Sequence, residues 1–153
     1  MTNLIIAHHN IRSINAHIHD LKIYIQENKP DIITLNETIK IPNNLKILGY
    51  KFTTPDPNPG QGVAIIYKNT LNVTNLPIIE TNNPTKNIQH SILITSNKTK
   101  IQISTIYCPL GKPNINLIEN IIKRHTNTII TGDFNIKHVD LGHPTNTKAG
   151  NDL

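Results

Sequence analysis

The sequence predicts an α/β protein with mixed sheets, built as one domain from 153 residues. Three observations support this fold class. A strand, a helix and a second strand follow one another near the N-terminus, an order that favours a parallel pair with a right-handed crossover. Strand-length apolar runs separated by turn-like segments fill the middle of the chain, which is typical of antiparallel strands. A second helix and a further strand come after them.

The N-terminal unit begins with a short apolar run at residues 4–7, which has the length of a strand. Ser13 is a plausible N-cap for a helix that ends near residues 29–30, where the sequence reads Lys-Pro. Residues 31–35 (DIITL) form the second predicted strand. The apolar stripe of the helix, spaced for one face, is Ile14, Ile18, Leu21 and Ile25.

The middle of the chain contains three further predicted strands. Residues 55–62 are a loop by composition, and residues 63–68 (VAIIYK) are the strand after it. Residues 88–96 and 101–107 are two more strands, and the turn-like residues 97–99 separate them. This alternation of strand and turn predicts antiparallel pairing.

The last part of the chain carries a helix and a buried strand. The helix ends near Arg124, and residues 128–131 form a strand that leads into residues 132–135 (GDFN). Residues 137–153 show little periodicity, so we expect no closing strand there. The apolar stripe of the helix consists of Leu117, Ile118, Ile121 and Ile122.

Charge and cysteine content exclude several classes of protein. Fifteen Lys and Arg against ten Asp and Glu give a net charge of +5, which fits a polyanionic partner without requiring one. The single cysteine, Cys108, excludes a disulfide framework and a multi-cysteine zinc module. No apolar run approaches the ~18 residues of a membrane span, and residues 1–11 do not resemble a signal peptide. We therefore expect an intracellular protein without a membrane partner.

Polar side chains follow three of the predicted strands. Asn10, Glu37 and the pair Asp133 and Asn135 each lie where a strand ends, and ligand sites of layered α/β folds gather at strand ends. A carboxylate such as Glu37 suits Mg²⁺, and Asp133 is able to orient or deprotonate a water. Together they predict metal-assisted phosphodiester hydrolysis, although each residue alone is better explained as a loop or turn residue.

Five sequence segments resemble motifs of the endonuclease/exonuclease/phosphatase superfamily. This superfamily includes pancreatic deoxyribonuclease, the abasic-site endonucleases and the endonuclease domains of non-LTR retrotransposons. The order and spacing of the motifs match along essentially the whole chain. The segments are residues 131–135 (TGDFN), 35–38 (LNET, with Asn36 in place of the usual Gln), 9–14 (HNIRSI), 60–65 (GQGVAI) and 106–109 (IYCP).

The segment after GDFN resembles the jockey-type retrotransposon branch. Residues 132–138 (GDFNIKH) place a histidine at the spacing of that branch, and residues 148–153 resemble its later glycine and leucine. Leu141 stands where that branch has tryptophan. The resemblance therefore implies a two-sheet α/β sandwich of the deoxyribonuclease/abasic-endonuclease type.

The resemblance also implies roles for individual residues. Glu37 would be the main ligand of Mg²⁺, with Mn²⁺ as the alternative ion, and Asn10 would support the metal and the phosphate. Tyr107 would contact the scissile phosphate, and Asp133 would orient the attacking water. Asn135 would hydrogen-bond the phosphate. His138 would face the DNA, although an ordinary loop position explains it equally well.

The superfamily closes with a Ser-Asp-His-like motif on a late strand, and this chain has no such motif after Asn135. His138 and His143 are the histidines that follow, and neither lies in that context. We therefore expect residues 1–153 to form one domain that is incomplete at the C-terminus and lacks its closing strands. Whether the chain alone is an enzyme stays open, because losing a phosphate-stabilising donor typically costs ~10²–10³ in rate.

Three functions follow from these features. The first is a Mg²⁺-dependent DNA endonuclease domain of a non-LTR retrotransposon, which nicks double-stranded DNA in the nucleus for target-primed reverse transcription and is fused to a reverse transcriptase. The second is an inactive truncated remnant that binds DNA at most. The third is a phosphatase acting on small phosphoesters, which the GDFN-x-x-His pattern makes the least favoured.

The remaining histidines and the cysteine are interpreted structurally. His17 and His19 lie two residues apart on the predicted helix, cannot share a face, and are interpreted as solvated surface. His8 and His9 adjoin Asn10, and a core or supporting role is favoured over metal ligation. Cys108 lacks a partner base in the sequence, which favours a buried structural thiol.

Overall fold

The computed structural model describes residues 3–39, 41–42, 45–55, 62–80, 82, 86–96 and 99–151. Two four-stranded sheets face each other, and one long helix covers the outer face of each sheet. The strands are β1 (Ile6–Asn10), β2 (Ile32–Asn36), β3 (Tyr50–Thr53), β4 (Val63–Lys68), β5 (Val73–Asn75), β6 (Ile88–Ser96), β7 (Thr99–Tyr107) and β8 (Thr128–Asp133). The helices are α1 (Ile14–Asn28), α2 (Ile115–Arg124) and the short α3 (Lys148–Asn151), with a 3₁₀ turn at Val139–Leu141.

The first sheet has the order β1-β2-β4-β3, in which β1 and β2 are parallel and the other pairs are antiparallel. The second sheet has the order β5-β6-β7-β8, in which β7 and β8 are the parallel pair. The predicted α/β fold with mixed sheets is therefore confirmed. Both parallel pairs end at the same side of the sandwich, since side chains from the ends of β1 and β8 are in direct contact there.

Strand β2 is buried on both faces, as its continuous apolar run predicts. Ile33 and Leu35 face α1, whereas Ile32 faces the second sheet. The same alternation turns Thr34 and Asn36 inward, between the sheets. The core between the sheets consists of Ile32, Ile65, Ile92, Ile94 and Ile103.

Helix α1 begins where predicted, after Ser13, but its cap differs from the prediction. The Ser13 side chain makes no capping hydrogen bond. Instead, the backbone N–H groups of Ser13 and Ile14 donate to the carbonyl oxygens of Glu37 (2.8 Å) and Thr38 (3.2 Å). The start of α1 is thus satisfied by the segment that follows β2, which ties the helix to the end of that strand.

Several boundaries differ from those predicted. Strand β1 runs from Ile6 to Asn10 rather than over residues 4–7, because it pairs with β2 through Asn10 and Asn36. Strands β3 and β5 were not predicted from the sequence. The loop residues 56–61, the turn residues 97–98 and residues 152–153 lie outside the described part of the chain, as does the side chain of Leu141.

Candidate active site

Three backbone segments meet at the carboxyl end of the parallel strands and position the predicted site residues. Asn10 is the last residue of β1, Glu37 directly follows β2, and Asp133 is the last residue of β8. Tyr107 ends β7 and is the register partner of Asp133. The structure therefore brings together four of the six residues that the sequence singles out.

The Asn10 side chain joins the two carboxylates. Its Nδ2 donates to Glu37 Oε1 at 2.9 Å and to Asp133 Oδ2 at 3.1 Å. Two carboxylates that share one amide donor lie within a few ångströms of each other, where their like charges repel. The Tyr107 hydroxyl donates to the same Glu37 Oε1 over a longer distance of 3.4 Å.

Asp133 has a hydrogen bond on each of its oxygens. Oδ2 accepts from Asn10, and Oδ1 accepts from the backbone N–H of Asn135 at 3.0 Å. In addition, the Asp133 carbonyl oxygen accepts from the Cys108 N–H at 2.9 Å. These bonds fix the carboxylate in one orientation at the end of β8.

Asn135 and His138 are held outside the four-residue cluster. The Asn135 side-chain amide donates to the Cys108 carbonyl oxygen at 3.1 Å, while the residue itself is exposed. His138 Nδ1 accepts from the Asp140 N–H at 3.2 Å within its own loop. Asn135 thus supports the backbone beside Asp133, and the described contacts of the His138 side chain stay within its own loop.

The backbone around the site is strained. Arg12, Ser13, Glu37 and Asn135 all have positive φ, at 48°, 93°, 54° and 50°. A non-glycine residue in this region costs of order 1–3 kcal/mol and persists only where the surroundings impose it. Here the hydrogen bonds from Ser13 and Ile14 to the segment after β2 hold Glu37 in this conformation.

Burial and the two carboxylates shift the pKa values of neighbouring groups. Burial, followed by the charges of Glu37 and Asp133, raises the pKa of Tyr107, so its hydroxyl stays a neutral donor. Burial, followed by the charge of Asp133, raises the pKa of Cys108 to about 12. Cys108 is therefore a thiol at neutral pH, as expected of a buried structural cysteine.

His8 lies two residues before Asn10, on the same face of β1. Its Nδ1 is 3.0 Å from Thr34 Oγ1, and Thr131 Oγ1 donates to that same hydroxyl at 2.8 Å. Burial lowers the pKa of His8, and the charge of Asp133 partly offsets this. His8 thus contacts Thr34 next to the site although the residue is exposed, and His17 and His19 are exposed on α1 as predicted.

Asn36 is a residue whose importance the sequence analysis missed. It is completely buried between the sheets, where its Nδ2 donates to the Ile106 carbonyl oxygen at 2.9 Å. The Thr105 hydroxyl donates to Asn36 Oδ1 at 2.8 Å. Because side chains alternate along a strand, the sequence places Asn36 on the same face of β2 as Ile32 and Thr34. The structure shows that this face is the one between the sheets.

The donor set of the cluster fits a hard divalent cation. Mg²⁺ usually takes one or two protein carboxylates and keeps its waters, and Glu37 and Asp133 provide two. Asn10 Oδ1 is buried and has no hydrogen-bond partner in the described structure, so one amide oxygen next to the carboxylates is unused. Among the described residues, no three His, Cys, Asp or Glu side chains form a group that could hold a metal.

The described chain contains no helix that combines the length and the apolar character of a membrane span.

A groove of about 620 Å³ runs along the outer edge of β1 and reaches Asn10. Asn10 is the residue of the cluster that lines this groove, together with residues of β1 and α1.

Comparison with known proteins finds a family model that matches the C-terminal third and solved structures that share the fold of almost the whole chain. Residues 101–153, which include Tyr107 and Asp133, match the family model described as endonuclease-reverse transcriptase. A comparison with curated proteins by sequence finds no match.

Solved structures match almost the whole chain. The endonuclease domain of TRAS1, a telomere-specific non-LTR retrotransposon, is 18% identical with a TM-score of 0.75, covering 99% of this chain and 68% of that one. TDP2 from D. rerio, complexed with single-strand DNA product, is 15% identical with a TM-score of 0.67, covering 94% and 66%. An AP endonuclease from Archaeoglobus fulgidus is 19% identical with a TM-score of 0.63, covering 88% and 58%.

The chain thus spans between 58% and 68% of the length of these three structures. At these identities the likeness concerns the fold, and it confirms the two-sheet sandwich of the deoxyribonuclease/abasic-endonuclease type. The resemblance based on the motifs is confirmed as well, because the chain shares the fold of the endonuclease domain of a non-LTR retrotransposon.

Proposed function

We propose that the chain is a Mg²⁺-dependent DNA endonuclease domain of the non-LTR retrotransposon type, which nicks double-stranded DNA by phosphodiester hydrolysis. The observation that carries the proposal is the Asn10 amide, which holds the carboxylates of Glu37 and Asp133 together at one edge of the sandwich. Residues 101–153 match the family model described as endonuclease-reverse transcriptase, and the fold is similar to that of the TRAS1 endonuclease domain. Both findings support the same function. Fusion to a reverse transcriptase, target-primed reverse transcription and a nuclear location belong to this proposal.

Glu37 and Asn10 are the residues that would hold the ion, with Mn²⁺ as an alternative to Mg²⁺. The bound ion would supply Lewis-acid stabilisation of the charge that develops on the phosphate. Glu37 would bind it through a carboxylate oxygen, and Asn10 would keep both carboxylates in place by donating to them. A divalent cation would also relieve the repulsion between the two carboxylates.

Asp133 is the residue that would act on the attacking water. Hydrogen bonds from Asn10 and Asn135 fix its two oxygens, so it is pre-oriented rather than free to rotate. Such pre-organisation lowers the cost of reaching the transition state. Tyr107 is a neutral hydroxyl donor beside Glu37 and would contact the phosphate without repelling it. Asn135 and His138, which border the cluster, would contact the DNA.

A plasmid nicking assay on the full chain tests this proposal. Supercoiled plasmid is incubated with Mg²⁺ or with a chelator, using the wild-type chain and the variants Glu37→Gln and Asp133→Asn. We expect Mg²⁺-dependent nicking that falls by about 10²–10³ in either variant, because each loses a charge placed for the transition state. Glu119→Gln is the matched control, since Glu119 is exposed on α2 and pairs only with Lys123 among the described residues.

Three results would contradict the proposal. If Glu37→Gln nicks as fast as the wild type, the metal site is assigned to the wrong residue. If the folded wild-type chain binds plasmid but never nicks it, the chain is a DNA-binding remnant. Hydrolysis of a small phosphomonoester without nicking would instead indicate a phosphatase.

A further inference from the structure

A second surface with the chemistry of a polyanion site lies far from the carboxylate cluster. It is a groove of about 1400 Å³ between the C-terminal half of α1, residues 45–52 and the end of β4. The backbone N–H of Lys68, at the end of β4, donates to the Asp31 carbonyl oxygen, which places the groove at the start of β2. The cluster lies at the other end of that strand, about 15 Å away for five residues of β-strand.

The walls of this groove are positively charged on both sides. Lys22 and Lys29 lie on the α1 side, and Lys46 lies on the opposite side. All three are exposed, and none forms an ion pair with a described residue. The described residues that line the groove include no Asp or Glu, so these ammonium groups have no counter-charge from them.

Lys68 also lines the groove, but unlike the wall lysines it forms an ion pair. Its Nζ is 2.7 Å from Asp31 Oδ1. That hydrogen bond raises the pKa of Lys68 and, together with the Ile5 N–H, lowers that of Asp31. The Asp31 carboxylate thus compensates the charge of Lys68, whereas the lysines on the walls have no such partner among the described residues.

The floor between the walls is apolar and partly aromatic. Tyr50 and Phe52 line it together with Ile25 and Ile47. The Tyr50 hydroxyl donates to the Pro30 carbonyl oxygen at 2.8 Å, which fixes that ring in place. Leu48 is 99% exposed at the rim. Lysines above a floor with aromatic rings are the combination by which proteins hold single-stranded nucleic acid, with phosphates on the ammonium groups and bases on the rings.

We propose that this lysine-walled groove binds a short stretch of single-stranded polynucleotide, separately from the site that would hold the scissile phosphate. A polynucleotide fits better than an acidic peptide because every nucleotide carries a phosphate, so a few consecutive nucleotides reach lysines on both walls at once. Both DNA and RNA single strands have this chemistry. The groove would contact mainly the sugar-phosphate backbone, so binding would depend little on the nucleotide sequence.

Fluorescence anisotropy with labelled oligo-dT and oligo-rU tests the proposal on the full chain. The Glu37→Gln/Asp133→Asn background with a chelator prevents cleavage, so the result does not depend on the proposed nuclease activity. We expect Lys22→Glu/Lys46→Glu, with one change on each wall, to weaken binding by about 10-fold or more, with a shallower dependence on salt, because each phosphate contact contributes a slope of about −0.7 in log affinity against log salt. Lys100→Glu, an exposed lysine of β7 outside the groove, is the matched control and should change the affinity less than about two-fold.

Crosslinking and competition distinguish the groove from other surfaces. An iodouracil oligonucleotide should crosslink within residues 45–52, and preference for dT or rU tells which polynucleotide is favoured. Unchanged affinity in Lys22→Glu/Lys46→Glu, or equal displacement by a poly-glutamate peptide, would overturn the proposal. If circular dichroism shows that this variant is unfolded, Lys29→Gln/Lys46→Gln serves in its place.

Discussion

Asn10 is the single residue on which the geometry of the site most depends, because one amide group donates to both carboxylates. Replacing it in Asn10→Asp would place a third carboxylate against Glu37 and Asp133. We expect the free energy of unfolding in chelator to fall by about 1–3 kcal/mol, since the three like charges repel and the donor is lost. Added Mg²⁺ should restore more stability to this variant than it adds to the wild type, as measured by denaturant unfolding with and without the ion.

The control for this experiment is Asn120→Asp, which introduces the same charge at an exposed position of α2. Its stability should be unchanged and should not respond to Mg²⁺ more than that of the wild type. An Asn10→Asp variant that is as stable as the wild type in chelator would show that the two carboxylates are not held together as the structure indicates.

At the residue scale, strand ends were the informative signal. Asn10, Glu37 and Asp133 were predictable because each is a polar residue within three positions of the end of an apolar run, and parallel strands bring such ends together. Tyr107 was identified only by the family motif, since an aromatic residue at a strand end has many ordinary explanations. The cross-sheet role of Asn36 was missed because it depends on which face of β2 packs against the second sheet, and periodicity cannot decide this for a strand that is apolar on both faces.

At the scale of elements, β8 delivers Asp133 to the site only because its backbone approaches β7 closely at Gly132. A Cβ at this position would lie 2.1 Å from the Ile106 carbonyl oxygen, which is backbone and cannot rotate away. We expect Gly132→Ala to push β8 from β7, displace Asp133 and destabilise the chain by about 2–4 kcal/mol. Denaturant unfolding measures the loss, and Mg²⁺ should add less stability to this variant than to the wild type.

A neighbouring position on the same strand provides the comparison. Ile129 is 40% exposed, so Ile129→Ala removes little buried surface and should cost under about 1 kcal/mol. Equal stability of the Gly132→Ala and wild-type chains would mean that the two strands separate here at no cost, against the contact that the structure shows.

The elements that were predicted have a stronger pattern of apolar residues in the sequence than the elements that were missed. Helix α1 has four apolar residues at helical spacing, and β4, β6 and β7 are long β-branched runs, so all four were found. Strand β5 has three residues and β3 has four, with partly exposed residues in each. Segments this short form strands because a neighbouring strand supplies their hydrogen bonds, which a local pattern does not record.

At the scale of the whole molecule, polar bridges join the two sheets on either side of the isoleucine core. Asn36 with Thr105 forms one bridge near the site. Thr53 forms a second one, from β3 of the first sheet to Asn75 and His90 of the second. The Thr53 hydroxyl donates its one proton to Asn75 Oδ1 at 2.9 Å, so the proton at the His90 contact must come from His90 Nε2, 3.1 Å away. The neutral imidazole of His90 therefore carries its hydrogen on Nε2.

This second bridge makes the stability of the sandwich depend on pH. Burial lowers the pKa of His90 to about 4, whereas the unfolded chain binds that proton near pH 6.5. Because the unfolded state binds more protons between these values, His90 contributes no pH dependence above about pH 6.5, and stability falls as the pH drops from there towards about 4. The loss should reach about 3 kcal/mol, since each pH unit between the two pKa values contributes about 1.4 kcal/mol. Burial also lowers the pKa of His8, which adds to the loss in the same direction.

His90→Gln isolates this contribution, since the neutral amide still donates to Thr53 but does not titrate. We expect denaturant unfolding of this variant to show a smaller loss of stability between about pH 6.5 and pH 4 than the wild type shows. His19→Gln removes an exposed histidine of α1 and should leave the wild-type pH profile in place. Parallel pH profiles for His90→Gln and the wild type would mean that His90 binds its proton at the same pH in the folded and unfolded chains, against the lowered pKa that its burial implies.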